Sequence, residues 1–361
     1  MMRKRAILLA VALLCVAAIP RGVHAGPSPG GNSSDNVEWI THVPFDAVTA
    51  TGARLIGKYL YVTSWRNFSI YDVSDPMSPQ LVTTRPFGFQ FENEDVSTNG
   101  EIMLFSESLP RSVLHIWDVE DKSNPIEIAT LDGAGDHTTS CILNCSWAYG
   151  SDGTITNLKD PADPKIAGDW HELIGLRDDA HDVEEFRPGF VVVSTISSPL
   201  LLMDVRNPLK PKVLARGAHP APGQWLFHAA LWPNRGKDRF LLTQGEGTSG
   251  PFMTYDTRNH KRTETFKLTD SFTVEGSSAS SHWFDEHPNY RNGGFVVVGW
   301  YGDGTRFLKV KPDGKIKEVG WFMPHAQRSG FSAYWLNEEI VYAIDLYRGI
   351  DILRFDPKAE P

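Results

Sequence analysis

Cysteine is scarce in this sequence. The 361-residue chain has three, too few for a disulfide framework or for a site of four thiolates. Long apolar runs are equally scarce. The one at residues 6–19 is too short for a comfortable membrane span. Helical periodicity is nearly absent, so a bundle or a doubly wound fold is excluded. Positive charge is in deficit: 35 Lys and Arg stand against 44 Asp and Glu, which argues against nucleic acid or an anionic membrane as partner. Familiar catalytic motifs are missing as well. There is no Gly-x-Ser-x-Gly elbow, and "GEGTSG" (245–250) lacks the lysine and the following helix of a phosphate loop.

What is present begins with an export signal. Arg3, Lys4 and Arg5 precede the apolar run, and Val23-His24-Ala25 closes it as a small-x-small cleavage site. Cleavage after Ala25 predicts a soluble protein, extracellular or periplasmic. It removes Arg3, Lys4, Arg5 and Arg21 and no acid, which takes the net charge from -9 to -13. Cys15 leaves with the signal. It follows two leucines rather than the small residue of a lipidation site. Residues 26–36, rich in Gly, Pro and Ser, read as a flexible linker, and residues 37–357 as a single domain.

That domain repeats itself. Short apolar or alternating runs, separated by Asp, Asn, Pro and Gly, recur about every 45 residues, the spacing of propeller blades. The clearest unit is "GKYLYVTSWRNFSIYDVSDPMSPQLVTT" (57–84), followed by "GEIMLFSESLPRSVLHIWDVEDKSNPIEIATL" (100–131). Seven units can be laid out in this way. The seventh stops at Asp356-Pro357 without its last strand, and "VEWITHVPF" (37–45) resembles "KEVGWFMPH" (317–325), the last strand of unit six. The expectation is an all-β, seven-bladed β-propeller whose last blade is completed by the N-terminal strand, which removes both sheet edges.

The strings "FSIYDVSDPMSPQLV" (68–82) and "LLLMDVRNPLKPKVL" (200–214) resemble the LVIVD repeat of secreted bacterial propellers. The resemblance implies a β-propeller and export. It implies no catalytic residue, because that family is largely without assigned activity.

Aligning the units on their second strands puts Thr51, Glu94, His137, His181, His228, His282 and Ser332 at one position, the start of each inner strand. Four are histidine, in consecutive units. Equivalent side chains on neighbouring blades converge near a propeller axis, and imidazole is a common ligand of copper and zinc. Glu94, His137, His181, His228 and His282 are therefore the candidate metal ligands. Asp95 and Asp182 stand one residue further on, where they could orient imidazoles or serve as turn residues. His171, His219 and His325, in the links between units, belong to the expected rim. The bland alternative is a hydrogen-bonded polar ring, copied by duplication.

His137 also opens the segment "HTTSCILNC", with Cys141 and Cys145 spaced His-x3-Cys-x3-Cys. Two thiolates and an imidazole would suit copper(I) or zinc. A disulfide is favoured by an oxidising compartment with no third cysteine. Extended chain would separate the two Cα atoms by roughly 13 Å, so a disulfide requires that residues 142–144 turn.

Three functions compete. One is a metalloprotein holding copper or zinc, with an oxidoreductase as one form of it, loosely similar in architecture to the selenium-binding and methanethiol oxidase propellers. The second is a monomeric scaffold that binds a small molecule or a protein at the channel mouth. The third is a hydrolase or lyase that uses histidine with Glu94 or Asp182.

Overall fold

The computed structural model describes residues 30–45, 49–88, 94, 96–107, 111–325 and 329–359. The expected signal peptide and Asp95 lie outside them. The chain is all-β, and its recurring element is a four-stranded antiparallel array built from consecutive strands. The arrays span 50–86, 97–132, 139–169, 180–217, 225–272 and 281–324. The last array takes its strands Gly330–Trp335, Ile340–Asp345 and Gly349–Phe355 from the C-terminus and its fourth, Val37–Pro44, from the N-terminus. Two neighbouring arrays fuse into an eight-stranded sheet, because Arg216 and Gly217 pair in parallel with Thr265 and Phe266.

Burial grades across each array, and the sequence dictates the gradient. Second strands such as Phe190–Thr195 (FVVVST) are apolar on both faces and buried along nearly their whole length. Fourth strands such as Gln80–Pro86 (QLVTTRP) and Lys165–Asp169 are half polar and largely exposed. A strand with sheets against both faces reads as a continuous apolar run, and an edge strand carries Lys, Gln and Pro. Between third and fourth strands the Asp-x-x-Asp spacing closes two successive turns. Asp72 Oδ1 accepts from Ser74 N at 2.9 Å and Asp75 Oδ1 from Met77 N at 3.0 Å. Asp118 and Asp121 do the same for Glu120 and Ser123. These aspartates are turn-formers, as their spacing suggested.

The apolar core is divided into clusters, each sandwiched between two arrays that are consecutive in the chain. Tyr61 and Phe68 pack with Met103 and Trp117, and Ile142 and Tyr149 with Val191 and Leu201. One cluster joins the two ends, with Leu60, Val62 and Tyr71 of the first array packed on Tyr342, Ile350 and Ile352 of the last.

The N-terminal strand is paired antiparallel to Gly349–Phe355 from Val37↔Phe355 to Pro44↔Gly349. A buried polar knot fastens it. Asp351 accepts from Trp39 Nε1 at 3.0 Å and lies 2.9 Å from His42 Nδ1, and Arg348 Nη2 donates to its other oxygen at 2.5 Å. The linker expectation needs correction at this end. Gly31–Ser33 is a strand paired with Phe322–Pro324, because it meets the free edge of the sixth array. A side chain at position 31 would collide with the Met323 carbonyl, so glycine permits that approach.

A candidate metal centre

Three of the candidate histidines sit where the first strand of their array departs from regular pairing, whereas Glu94 and His137 stand just before the first strands Ser97–Thr98 and Thr139–Ile142. In the first array Ala50 pairs with Ser64 and Gly52 with Thr63, leaving Thr51 as the extra residue. His181 is extra between Ala180 and Asp182. His228 and His282 fall in the gaps between Phe227 and Ala230 and between Ser281 and Phe284. A bulge re-aims its side chain out of the strand's alternation, and repeated bulges at one level re-aim these side chains alike. In the last array the extra residue is Phe331, because Gly330 pairs with Asp345 and Ser332 with Ile344. The structural equivalent of the histidines there is Phe331, one residue before the Ser332 that alignment suggested.

The side chains meet at one carboxylate. Glu94 Oε1 lies 2.7 Å from His228 Nε2 and 2.9 Å from His282 Nε2. Its Oε2 lies 3.0 Å from His137 Nε2 and 3.8 Å from His181 Nε2. His137 Nε2 and His181 Nε2 are 2.9 Å apart. Trp283 Nε1 donates to Glu94 Oε1 at 3.1 Å. The imidazoles form an arc, with ring centroids of neighbours 4.0–4.5 Å apart. Glu94, His181, His228 and His282 are all buried.

A second carboxylate, which sequence reasoning missed, faces the same point. Glu246 Oε2 is 3.7 Å from His181 Nε2 and its Oε1 is 3.9 Å from His282 Nε2. It stands in "GEGTSG", at the end of the strand Phe240–Gly247. The available signal was an acid between two glycines. A side chain at 245 would strike the Trp225 ring, and Gly247 has a φ of +125°, a conformation that favours glycine. The hairpin can therefore lie close against the cluster.

The outer imidazole nitrogens are held by groups other than the expected aspartate. The Gln244 amide lies 2.9 Å from His228 Nδ1, and His282 Nδ1 donates to the Phe331 carbonyl at 2.8 Å. Asp182 is buried and accepts from Ser140 Oγ at 3.4 Å, and it follows the bulge rather than sharing it. The rim histidines are not drawn in. Among the described residues, the ligand atoms that gather within 4.8 Å of one another come from Glu94, Glu246 and the four ring histidines. His171 is buried against Trp170, His219 packs on Trp225 and Phe227, and His325 is exposed.

Charge is shared unevenly across the cluster. Burial alone would raise the Glu94 carboxyl, but the His228 and His282 imidazoles outweigh it and hold the group well below the usual carboxylate range. Burial, reinforced by the neighbouring imidazoles, pushes His181 well below an ordinary histidine and His228 down to about 4. For His282 burial also pulls downward, but Glu94 and then Glu246 overcome it and raise the group. Within the cluster the Glu94 carboxyl is therefore biased toward its charged form, and His282 holds a proton more readily than His181 or His228.

Cys141 and Cys145 are joined in a disulfide with Cα atoms 4.4 Å apart. Leu143, Asn144 and Cys145 all have positive φ, which is the turn that the short loop required. The thiolate reading of His137, Cys141 and Cys145 is therefore overturned, and His137 turns instead to Glu94 and His181.

No curated protein matches the chain. Residues 49–84 match the family model of the LVIVD repeat. The match covers the first of the two strings that suggested it and nearly all of the first array, and the second string lies outside it. The first array of this all-β chain is thus an LVIVD repeat.

Proposed function

We propose that the protein is an exported, closed seven-bladed β-propeller whose axial cluster of Glu94, His137, His181 and His228 with His282 binds a divalent first-row transition ion. The observation that carries this reading is the convergence of four Nε2 atoms on a buried carboxylate. Two ligands each about 2.1 Å from one ion stand about 2.9–3.4 Å apart, and the Nε2 and Oε contacts run from 2.7 to 3.8 Å. One detail favours a metal over a polar ring. His282 Nε2 is buried 2.9 Å from Glu94 Oε1, yet it is not aligned to donate to that oxygen. The imidazole and carboxylate donors suit zinc or copper(II), and the disulfide leaves no thiolate to select copper(I). A bound ion of this kind would supply Lewis acidity or an activated water, or with copper a redox couple. The protein's own residues orient it: the Phe331 carbonyl accepts from His282 Nδ1, the Gln244 amide with its oxygen turned to accept from His228 Nδ1–H leaves that Nε2 free to ligate, and Trp283 fixes Glu94.

The seven-blade reading is supported by the run of four-stranded arrays among the described residues and by the core cluster that links the last to the first. Export rests on the N-terminal charge and apolar pattern and on the disulfide.

The test is metal analysis of protein purified from the exported fraction, with His181→Ala beside it. We expect zinc or copper in the parent, and metal affinity reduced more than about 100-fold in the variant. His325→Ala, at an exposed histidine outside the cluster, should keep the metal. If the parent takes up no zinc, copper or iron and His181→Ala only loses stability, the ring is structural. The protein is then a binding scaffold.

A further inference from the structure

Resting on the metal reading above, we infer that the centre holds two ions bridged by carboxylates. The inference comes from the way the two carboxylates divide the four histidines. Glu94 Oε1 faces His228 and His282, and its Oε2 faces His137 and His181. Glu246 reaches one member of each pair, with Oε1 3.9 Å from His282 and Oε2 3.7 Å from His181, and it also gathers with His181 and His228. Each histidine pair therefore has one oxygen from each carboxylate. One set is His137, His181, Glu94 Oε2 and Glu246 Oε2. The other is His228, His282, Glu94 Oε1 and Glu246 Oε1.

Each set offers two nitrogens and two oxygens, enough for a four-coordinate ion. A carboxylate that sends one oxygen to each of two ions spans a pair about 3.5–4 Å apart, the separation of two-metal hydrolytic sites. Ligand spacing agrees within a set. His137 Nε2 and His181 Nε2 are 2.9 Å apart, as for adjacent ligands of one ion.

Charge bears on what such a pair would attract rather than on the count. Two divalent ions against two carboxylates leave a net positive centre, and a single ion would be neutralised. Glu246 is half-buried and His137 partly exposed, so the centre is reached from their side. The ligand class is thus two divalent first-row cations, and the surplus positive charge would attract an oxyanion such as hydroxide, a phosphate or a carboxylate.

The experiment uses the metal-free full-length protein, titrated with Zn²⁺ and weighed intact by native mass spectrometry. A parallel sample loaded with Cu²⁺ is read by electron paramagnetic resonance. Two zinc ions per chain are expected, with a spin-coupled copper pair that gives a half-field signal. Glu246→Gln should bind one ion tightly and lose the half-field signal, with circular dichroism unchanged. His325→Ala should keep both ions and the coupling. One ion at saturation, or two without magnetic coupling, overturns the bridged pair but leaves a single-metal centre standing. No ion at all overturns the metal reading together with this one.

Discussion

His282 is the residue on which the chemistry of the cluster turns. Glu94 and Glu246 raise it, whereas burial holds His181 well below an ordinary histidine and His228 at about 4. A metal competes with protons only at groups that carry them. His228, held at about 4, is already neutral above about pH 5.5, and burial shifts His181 in the same direction, so of these three His282 is the one whose proton most opposes the metal. The sign follows: metal affinity rises with pH up to the raised pKa of His282 and is flat beyond it. These three histidines should contribute a slope of about one in log affinity per pH unit. Three ordinary histidines would contribute about three below pH 6.5. Zinc titrations followed by calorimetry between pH 5.5 and 7 measure the slope, and three protons released by these residues would contradict the charge distribution. Glu94→Gln removes the carboxylate that opposes the imidazoles, so His282 should titrate at lower pH in that variant, as read from its ring signals by NMR.

At the level of strands, the segment 37–45 was legible because a seventh unit without a fourth strand leaves an edge, and a similar string stood at the other end of the chain. The pairing of Val37–Pro44 with Gly349–Phe355 meets that expectation. Deleting 37–44 strips Asp351 of the Trp39 indole and the His42 ring and bares an apolar strand edge. The expected outcome is aggregation on expression, or a drop in unfolding free energy of several kcal/mol. A soluble deletion variant with the parent's melting temperature would contradict it. Trimming only through Ser33 removes a short outer strand and should cost far less. Other features were not legible. Bulges at Thr51, His181, His228 and His282 follow no residue pattern, and they move the equivalent position in the last array from Ser332 to Phe331. Glu246 was hidden because its strand reaches the cluster from the hairpin side, and only packing shows which loop leans inward. His171, His219 and His325 lie outside the gathered ligand atoms, because a shared face of the fold does not imply a shared point. Their rings are claimed by Trp170, by Trp225 and Phe227, and by solvent.

Across the molecule, closure and compartment support each other. The Cys141–Cys145 disulfide closes a loop of five residues, for which chain entropy gives about 2 kcal/mol. Protein from the exported fraction, unfolded without reductant, should show no titratable thiol, and Cys145→Ser should lower stability by about that amount. Two free thiols would undercut both the disulfide and the oxidising compartment. The proposed ring makes the axis a natural meeting place. Glu94, His137, His181, His228 and His282 are distant in sequence, yet each begins the inner edge of its own array, so closing the arrays brings them together without a dedicated loop. The most direct test of this account is an anomalous-scattering map from crystals of the exported protein, recorded above and below the zinc and copper absorption edges. The account predicts a peak about 2.0–2.2 Å from the Nε2 atoms of the ring histidines. A well-phased map with no peak among Glu94, His181, His228 and His282, from protein that also fails to take up added zinc or copper, would contradict it.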